Sequence, residues 1–170
     1  GRGPNGRRSR RERMERAVAA RVAGGELPPR WLAGRRVLVT AETEVGDRIE
    51  WVQVSLTILP LATPVSDAKV LTGRQKPLTE IAFIFAEIRT RDGFEGIGFG
   101  YSKRAGGPGM FAHAKELAPN LLGKDPNDIA RIFTDLLWAG ASMGRSGMTT
   151  QAIAPFDVAL WGLKAKRARR

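Results

Sequence analysis

Apolar positions along the chain fall into two regimes. Over residues 49–59 they alternate with polar ones, over 80–101 they gather in two short strand-like runs, and from residue 110 onward they recur every three or four positions. The run IEWVQVSLTIL (49–59) alternates and is rich in Ile, Val, Trp and Thr, which suit a half-buried strand, so it predicts a first strand that Pro60 ends. EIAFIFAEIRT (80–90) predicts a second strand and residues 94–101 a third. Arg91-Asp92-Gly93 between them is a hairpin signal, since glycine reaches the positive φ of a tight turn without a steric penalty. Residues 61–78, polar and carrying two prolines, are too long for a hairpin turn. Long ordered loops in compact domains are often functional, which marks this one for attention.

The helical regime predicts three helices. Residues 110–122 place Phe111, Ala114, Leu117 and Leu121 on one face, with Gly123 to close it. Asp125-Pro126 opens a second helix, an acceptor for orphan N–H groups followed by a residue preset for the first turn, with Ile129, Ile132, Phe133, Leu136 and Leu137 as its buried face. After the glycine-rich AGASMGRSGM, a third begins near Thr149 with Ile153, Phe156, Val158, Leu160, Trp161 and Leu163 as its apolar side. Pro155 should kink it or mark its true start. Together these predict an α+β fold, a three-stranded antiparallel meander followed by a helical bundle on one face.

Charge changes the picture less than its total suggests. The net charge is +11, but residues 1–36 hold +8 of it and residues 164–170 hold +5, which leaves −2 for residues 37–163. The folded body is close to neutral. The ends read as solvated basic segments; the alternative is a small basic nucleic-acid-binding protein that uses both arginine-rich ends, whose binding would weaken steeply with salt. Residues 1–46 are expected to be an Arg-rich disordered extension and linker, with a short helix over residues 10–22 at most. With no cysteine, disulfides and thiolate metal sites are excluded. No apolar run is long enough for a membrane span and no stretch reads as a secretion signal, so a cytoplasmic location is expected.

Two motifs invite over-reading. Lys164-Ala165-Lys166 lies on a predicted helix, whose period points the two ammonium groups apart. The glycines of Gly96-Ile97-Gly98-Phe99-Gly100 lie along a predicted strand, whereas a dinucleotide fingerprint needs a strand, a glycine turn and a helix in one βαβ unit. His113, the one histidine, reads as an ordinary packing or surface residue of the first helix.

The segments SDAKVLTGRQKPLTE, AEIRTRDGFEGIGFGYSKRAGGPGMFAHAKELAP, LLGKDPNDIARI, WAGASMGRSG and TQAIAPFDVALWGLKAKRA resemble the N-terminal capping domain of the mandelate racemase and muconate lactonizing group of the enolase superfamily. SDAKVLTGRQKP and YSKRAGGPG point to the branch that dehydrates galactarate and L-talarate. The resemblance covers residues 47 to 168. It implies a cap over residues 47–155, and over 156–170 the start of a barrel-associated helix, here cut short, with the TIM barrel absent. It implies that the missing barrel would abstract the proton next to a carboxylate and hold Mg²⁺, using a Lys-x-Lys base, an opposing histidine and three acidic ligands. This chain would then carry no catalytic residue and no metal ligand, and would be inactive alone.

The resemblance assigns Asp67, Lys69, Lys103 and Arg104 to substrate binding, as segments facing the barrel mouth. An aldarate has two carboxylates and several hydroxyls, so cations and short polar groups are the matching chemistry. Asp67 has a competing role as the cap of a local turn. The implied partners are an aldarate, the barrel and further copies of the intact subunit, with no membrane and no nucleic acid. A cap module that pairs with another barrel-bearing chain is the remaining alternative. Gly162, where the family has aspartate, together with Pro155 and Arg169-Arg170, departs from the pattern and suggests a gene fragment or a shifted reading frame.

Overall fold

The computed structural model describes residues 36–40 and 46–169. Four antiparallel strands, β1 (Arg36–Thr40), β2 (Ile49–Val65), β3 (Leu78–Thr90) and β4 (Glu95–Lys103), form one sheet in chain order. The short helix α1 (Ala68–Leu71) lies in the β2–β3 connection, and α2 (Gly107–Leu117), α3 (Ile129–Ala139) and α4 (Met148–Arg167) follow the sheet. Two 3₁₀ turns, Ala118–Leu121 and Ala141–Met143, complete the described elements. The α+β meander and helical bundle stand as read from the sequence, with an added edge strand. The run Val37-Leu38-Val39, left in the linker on sequence grounds, pairs with β2 from Arg36↔Ser55 to Thr40↔Trp51. The expected helix over residues 10–22 lies outside the described residues.

Pro60 does not end β2. It pairs with Glu80, and the strand runs on to Val65 through a register break. Among the described residues no strand pairs with β2 on its β1 side beyond Ser55, and an edge is where a strand tolerates proline. The predicted hairpin forms, with Thr90 N–H donating to Phe94 O (2.9 Å) and Gly93 at φ +83°.

Asp125-Pro126 makes a turn rather than a helix start. Asp128 N–H donates to Asp125 O (3.1 Å) and Asp125 Oδ1 accepts from Asn127 N (2.9 Å), so α3 begins three residues later than Pro126, at Ile129. An Asp-Pro pair serves the first two positions of a type I turn as well as it serves a helix cap, and here the turn wins. The first predicted helix also ends sooner, at Leu117, and its last residues tighten into the 3₁₀ turn.

The inner face of the sheet presents Val52, Val54, Ile84, Ala86 and Ile88 to a core completed by Met110, Leu117, Ile132, Leu136, Phe156, Leu160 and Leu163. Helix α4 lies against β4, and the alternating glycines make this possible. A Cβ on Gly96 or Gly98 would stand 2.1 Å from the backbone oxygen of Ala159 or Pro155, and one on Gly100 3.3 Å from the Pro155 ring. The glycine series is therefore a packing groove for a helix. Helix α4 continues unbroken through Pro155, whose ring is buried there. Val158 (45% exposed) and Trp161 (54%) do not belong to its buried side, which runs through Ala152, Ile153, Phe156, Ala159, Leu160 and Leu163.

His113 is a packing residue that joins three helices. It is buried on α2, with Nε2 3.1 Å from Thr149 Oγ1 on α4 and Nδ1 3.3 Å from Glu116 Oε2. The Thr149 hydroxyl donates to Gly140 O at the end of α3 (3.1 Å), so its oxygen is free to accept from the imidazole. A Cβ on Gly140 would lie 2.5 Å from Thr149 Cγ2 and 2.9 Å from His113 Nε2, which accounts for glycine at that place. Thr149→Val keeps the shape and strands two buried polar groups, so thermal or denaturant unfolding should show a loss of about 1–3 kcal/mol. No loss would mean the tie contributes nothing.

Candidate functional site

The β2–β3 connection is the one long polar loop in the described fold, and none of the residues of α1 is buried. Leu71 is 82% exposed. With Val70 only half-buried and no α1 side chain fully buried, the loop is ordered chiefly by polar contacts. Asp67 supplies the first. Its extended backbone (φ −122°) precedes α1, and its Oδ1 accepts from Lys69 N (3.0 Å) and Val70 N (3.2 Å), the usual way an aspartate satisfies the free N–H groups of a helix start. The turn role weighed for Asp67 is thus real. On the returning leg, Arg74 N–H and Gln75 N–H both donate to Lys69 O (2.8 and 3.0 Å).

The second contact comes from the end of β4. Arg104 Nη2 lies 2.9 Å from Asp67 Oδ2, and its Nη1 donates to Lys76 O. Arg104 holds φ +69°, and no other described non-glycine residue has a positive φ. Its guanidinium borders a cavity of about 240 Å³ lined also by Gln75, Lys76, Pro77, Leu78, Thr79 and Glu80. Partial burial pushes the Asp67 carboxyl up, but hydrogen bonds from Arg104, Val70 N and Lys69 N and the Arg104 charge outweigh it and hold it below its ordinary value.

Of the four residues singled out in the sequence, Asp67 and Arg104 are in direct contact. Lys69 rides on α1, two residues from Asp67. The Lys103 ammonium lies 5.7 Å from the Tyr101 ring centroid, along the outer side of β4, and is not drawn into the pair. The backbone carbonyl of Lys76 is the participant that sequence reading missed, because a carbonyl acceptor leaves no trace in residue type. Glu80, beside the cavity, was legible only as a strand residue. Among the described residues no group of three His, Asp or Glu side chains could hold a metal ion. No described helix is long and apolar enough to cross a membrane.

A four-stranded meander backed by helices, with a clasped polar loop at one end, is the architecture of a capping domain. The family model for the mandelate racemase / muconate lactonizing enzyme N-terminal domain matches residues 61–170, and the chain belongs to that family. It is 77% identical over 125 residues to L-talarate/galactarate dehydratase of Salmonella typhimurium, covering 74% of this chain and 31% of that one. A crystal structure of the Salmonella enzyme liganded with Mg and L-lyxarohydroxamate superposes with a TM-score of 0.71 at 72% identity, over 76% of this chain and 34% of that one. More distant is the 3,6-anhydro-alpha-L-galactonate cycloisomerase of Streptomyces coelicolor, 34% identical over 122 residues, 71% of this chain and 32% of that one. The chain therefore spans about a third of the length of the curated relatives it matches. The resemblance drawn from the motifs is borne out: the match is to the N-terminal domain of that family.

Proposed function

We propose that this chain is the substrate-capping part of a dehydratase for galactarate, L-talarate or a similar aldarate, and that it has no turnover without a barrel. The 77% identity to the Salmonella dehydratase carries the reading. In it, residues 47–155 are the cap, joined at the edge of its sheet by β1 (Arg36–Thr40), and residues 156–170 lead toward the barrel. The barrel supplies Mg²⁺ ligands and the base, and the intact subunits form a homo-oligomer in the cytoplasm.

The proposed contacts follow from the chemistry of the ligand. Lys69, on the exposed helix α1, and Lys103, at the end of β4, are cations for the distal carboxylate. Arg104 has five donors and spends two on Asp67 and Lys76, so further N–H groups remain for a ligand oxygen. Asp67 can accept from a hydroxyl while keeping its cap. A charge-assisted contact is worth about 1.5–3 kcal/mol, which is roughly 10- to 150-fold. In a complete enzyme made by joining this chain to the remaining two thirds of the Salmonella dehydratase, Lys69→Ala and Lys103→Ala should each lower kcat/KM for galactarate by that order, with the fold intact by circular dichroism. Parent-like kcat/KM in both variants would remove these residues from substrate binding.

A further inference from the structure

The loop between β2 and β3 is anchored in an unusual way. It runs out from Val65 and returns at Leu78, and within it the residues of α1 bury no side chain, so the hydrophobic effect does little to fix its position. Yet both of its ends meet one side chain. Arg104 binds the Asp67 carboxylate at the outgoing end and the Lys76 carbonyl at the returning end.

The base of that contact is itself held. Arg104 follows β4 directly, Ala105 N–H donates to Lys103 O (2.8 Å), and Gly106 O accepts from Met110 N at the first turn of α2 (2.8 Å). The arginine thus stands between the sheet and a helix whose Met110 and Phe111 are core residues. Its left-handed backbone is a conformation that a non-glycine residue keeps only where its surroundings enforce it. The two oxygens of Asp67 divide the work. Oδ1 caps α1 and Oδ2 takes the guanidinium. The Arg104 side chain is 20% exposed, against 50% for Asp67, so the pair is partly screened by protein rather than lying free in water.

We propose that Arg104 is the positioning residue of this cap: it clasps residues 67–76 into a flap of fixed geometry and so sets where Lys69 meets a ligand. The functional meaning rests on the aldarate reading, but the clasp can be measured without any ligand. The two paired N–H groups of Arg104 fix the distance between the flap, which carries Lys69, and the β4 end, which carries Lys103, while its remaining N–H groups stay open to a ligand oxygen. The clasp depends on ionised Asp67. Because the carboxyl is held below its ordinary value of 3.8 in the folded chain, the stabilisation is fully present above that value and is lost as pH falls through the lowered one.

Hydrogen exchange on the purified chain tests this. Arg104→Ala should speed exchange at Val70, Thr72, Arg74 and Gln75 by about tenfold or more while the amides of β3 keep their protection. Asp67→Asn retains an acceptor for the helix start but not the charge, so its effect should be smaller and in the same segment. Adding it to Arg104→Ala should change nothing further, because the two residues act as one unit. Wild-type flap protection, corrected for intrinsic rates, should fall below the ordinary carboxylate range and be independent of pH above it. If Arg104→Ala costs β3 its protection too, the variant has lost its fold and Asp67→Asn decides. Unchanged flap exchange in a folded Arg104→Ala or in Asp67→Asn overturns the clasp. These outcomes are separate from the Lys69 and Lys103 kinetics, which test the aldarate reading alone.

Discussion

Gly98→Ala is expected to lower the stability of the domain by about 3 kcal/mol, the upper part of the usual range for overpacking. The new Cβ would stand 2.1 Å from Pro155 O and 2.5 Å from Ala159 N. Both atoms are helix backbone, so no side-chain rotation relieves the clash and α4 must move off the sheet. That movement would open the core around Ala159 and Leu163. Gly162 is the control. A Cβ there meets only Ile97 O at 3.8 Å, an ordinary contact, and alanine is favoured over glycine in a helix by about 1 kcal/mol. Denaturant midpoints should therefore move in opposite directions for Gly98→Ala and Gly162→Ala. Equal shifts of one sign would refute the close approach of α4 to β4.

Phe156→Ala should cost about 3–5 kcal/mol, the range for removing a buried aromatic side chain. Phe156 is fully buried and is among the largest side chains in the core, held between the sheet and the other helices. Trp161, five residues on along the same helix, is 54% exposed, so Trp161→Ala should cost well under 1 kcal/mol despite the larger side chain. Chemical unfolding of both variants checks the pair. A Trp161 loss as large as that of Phe156 would show that α4 buries a different face.

Much of the fold was legible because period and side are coupled. In residues 49–59 and 80–90 Val52, Val54, Ile84, Ala86 and Ile88 share the buried face, as their period requires, whereas in residues 94–101 the buried positions are Gly96 and Gly98 and the apolar Ile97, Phe99 and Tyr101 lie on the exposed side. Phe111, Ala114 and Leu117 likewise share the inward face of α2, and Leu121 is buried from the 3₁₀ turn that follows it. What escaped had no periodic signal. Three apolar residues at 37–39 are too few to distinguish an edge strand from a linker. Val158 and Trp161 were assigned to the buried side of α4 by hydrophobicity, although their angular positions lie beside the face that Phe156, Leu160 and Leu163 define. Pro60 was read as a terminator because sequence does not reveal which side of a strand will be an edge. Gly96, Gly98 and Gly100 could be denied a phosphate role from the strand pattern, but the helix they accommodate is a long-range fact. At the candidate site, Asp67 and Arg104 were found through family motifs, and their contact across 37 residues was not. The Lys76 carbonyl had no signal at all.

If these residues form the cap of a sugar-acid dehydratase, as proposed, the reaction needs a barrel. Galactarate turnover in the presence of Mg²⁺, measured for the purified chain and for the same chain joined to the remaining two thirds of the Salmonella dehydratase, tests it most directly. No product is expected from the chain alone, and Mg²⁺-dependent dehydration is expected from the joined protein, in which the relative supplies what this chain lacks and this chain replaces a segment 77% identical to it. Metal-dependent turnover by the chain alone, or a folded joined protein that leaves galactarate and L-talarate unchanged, would contradict it.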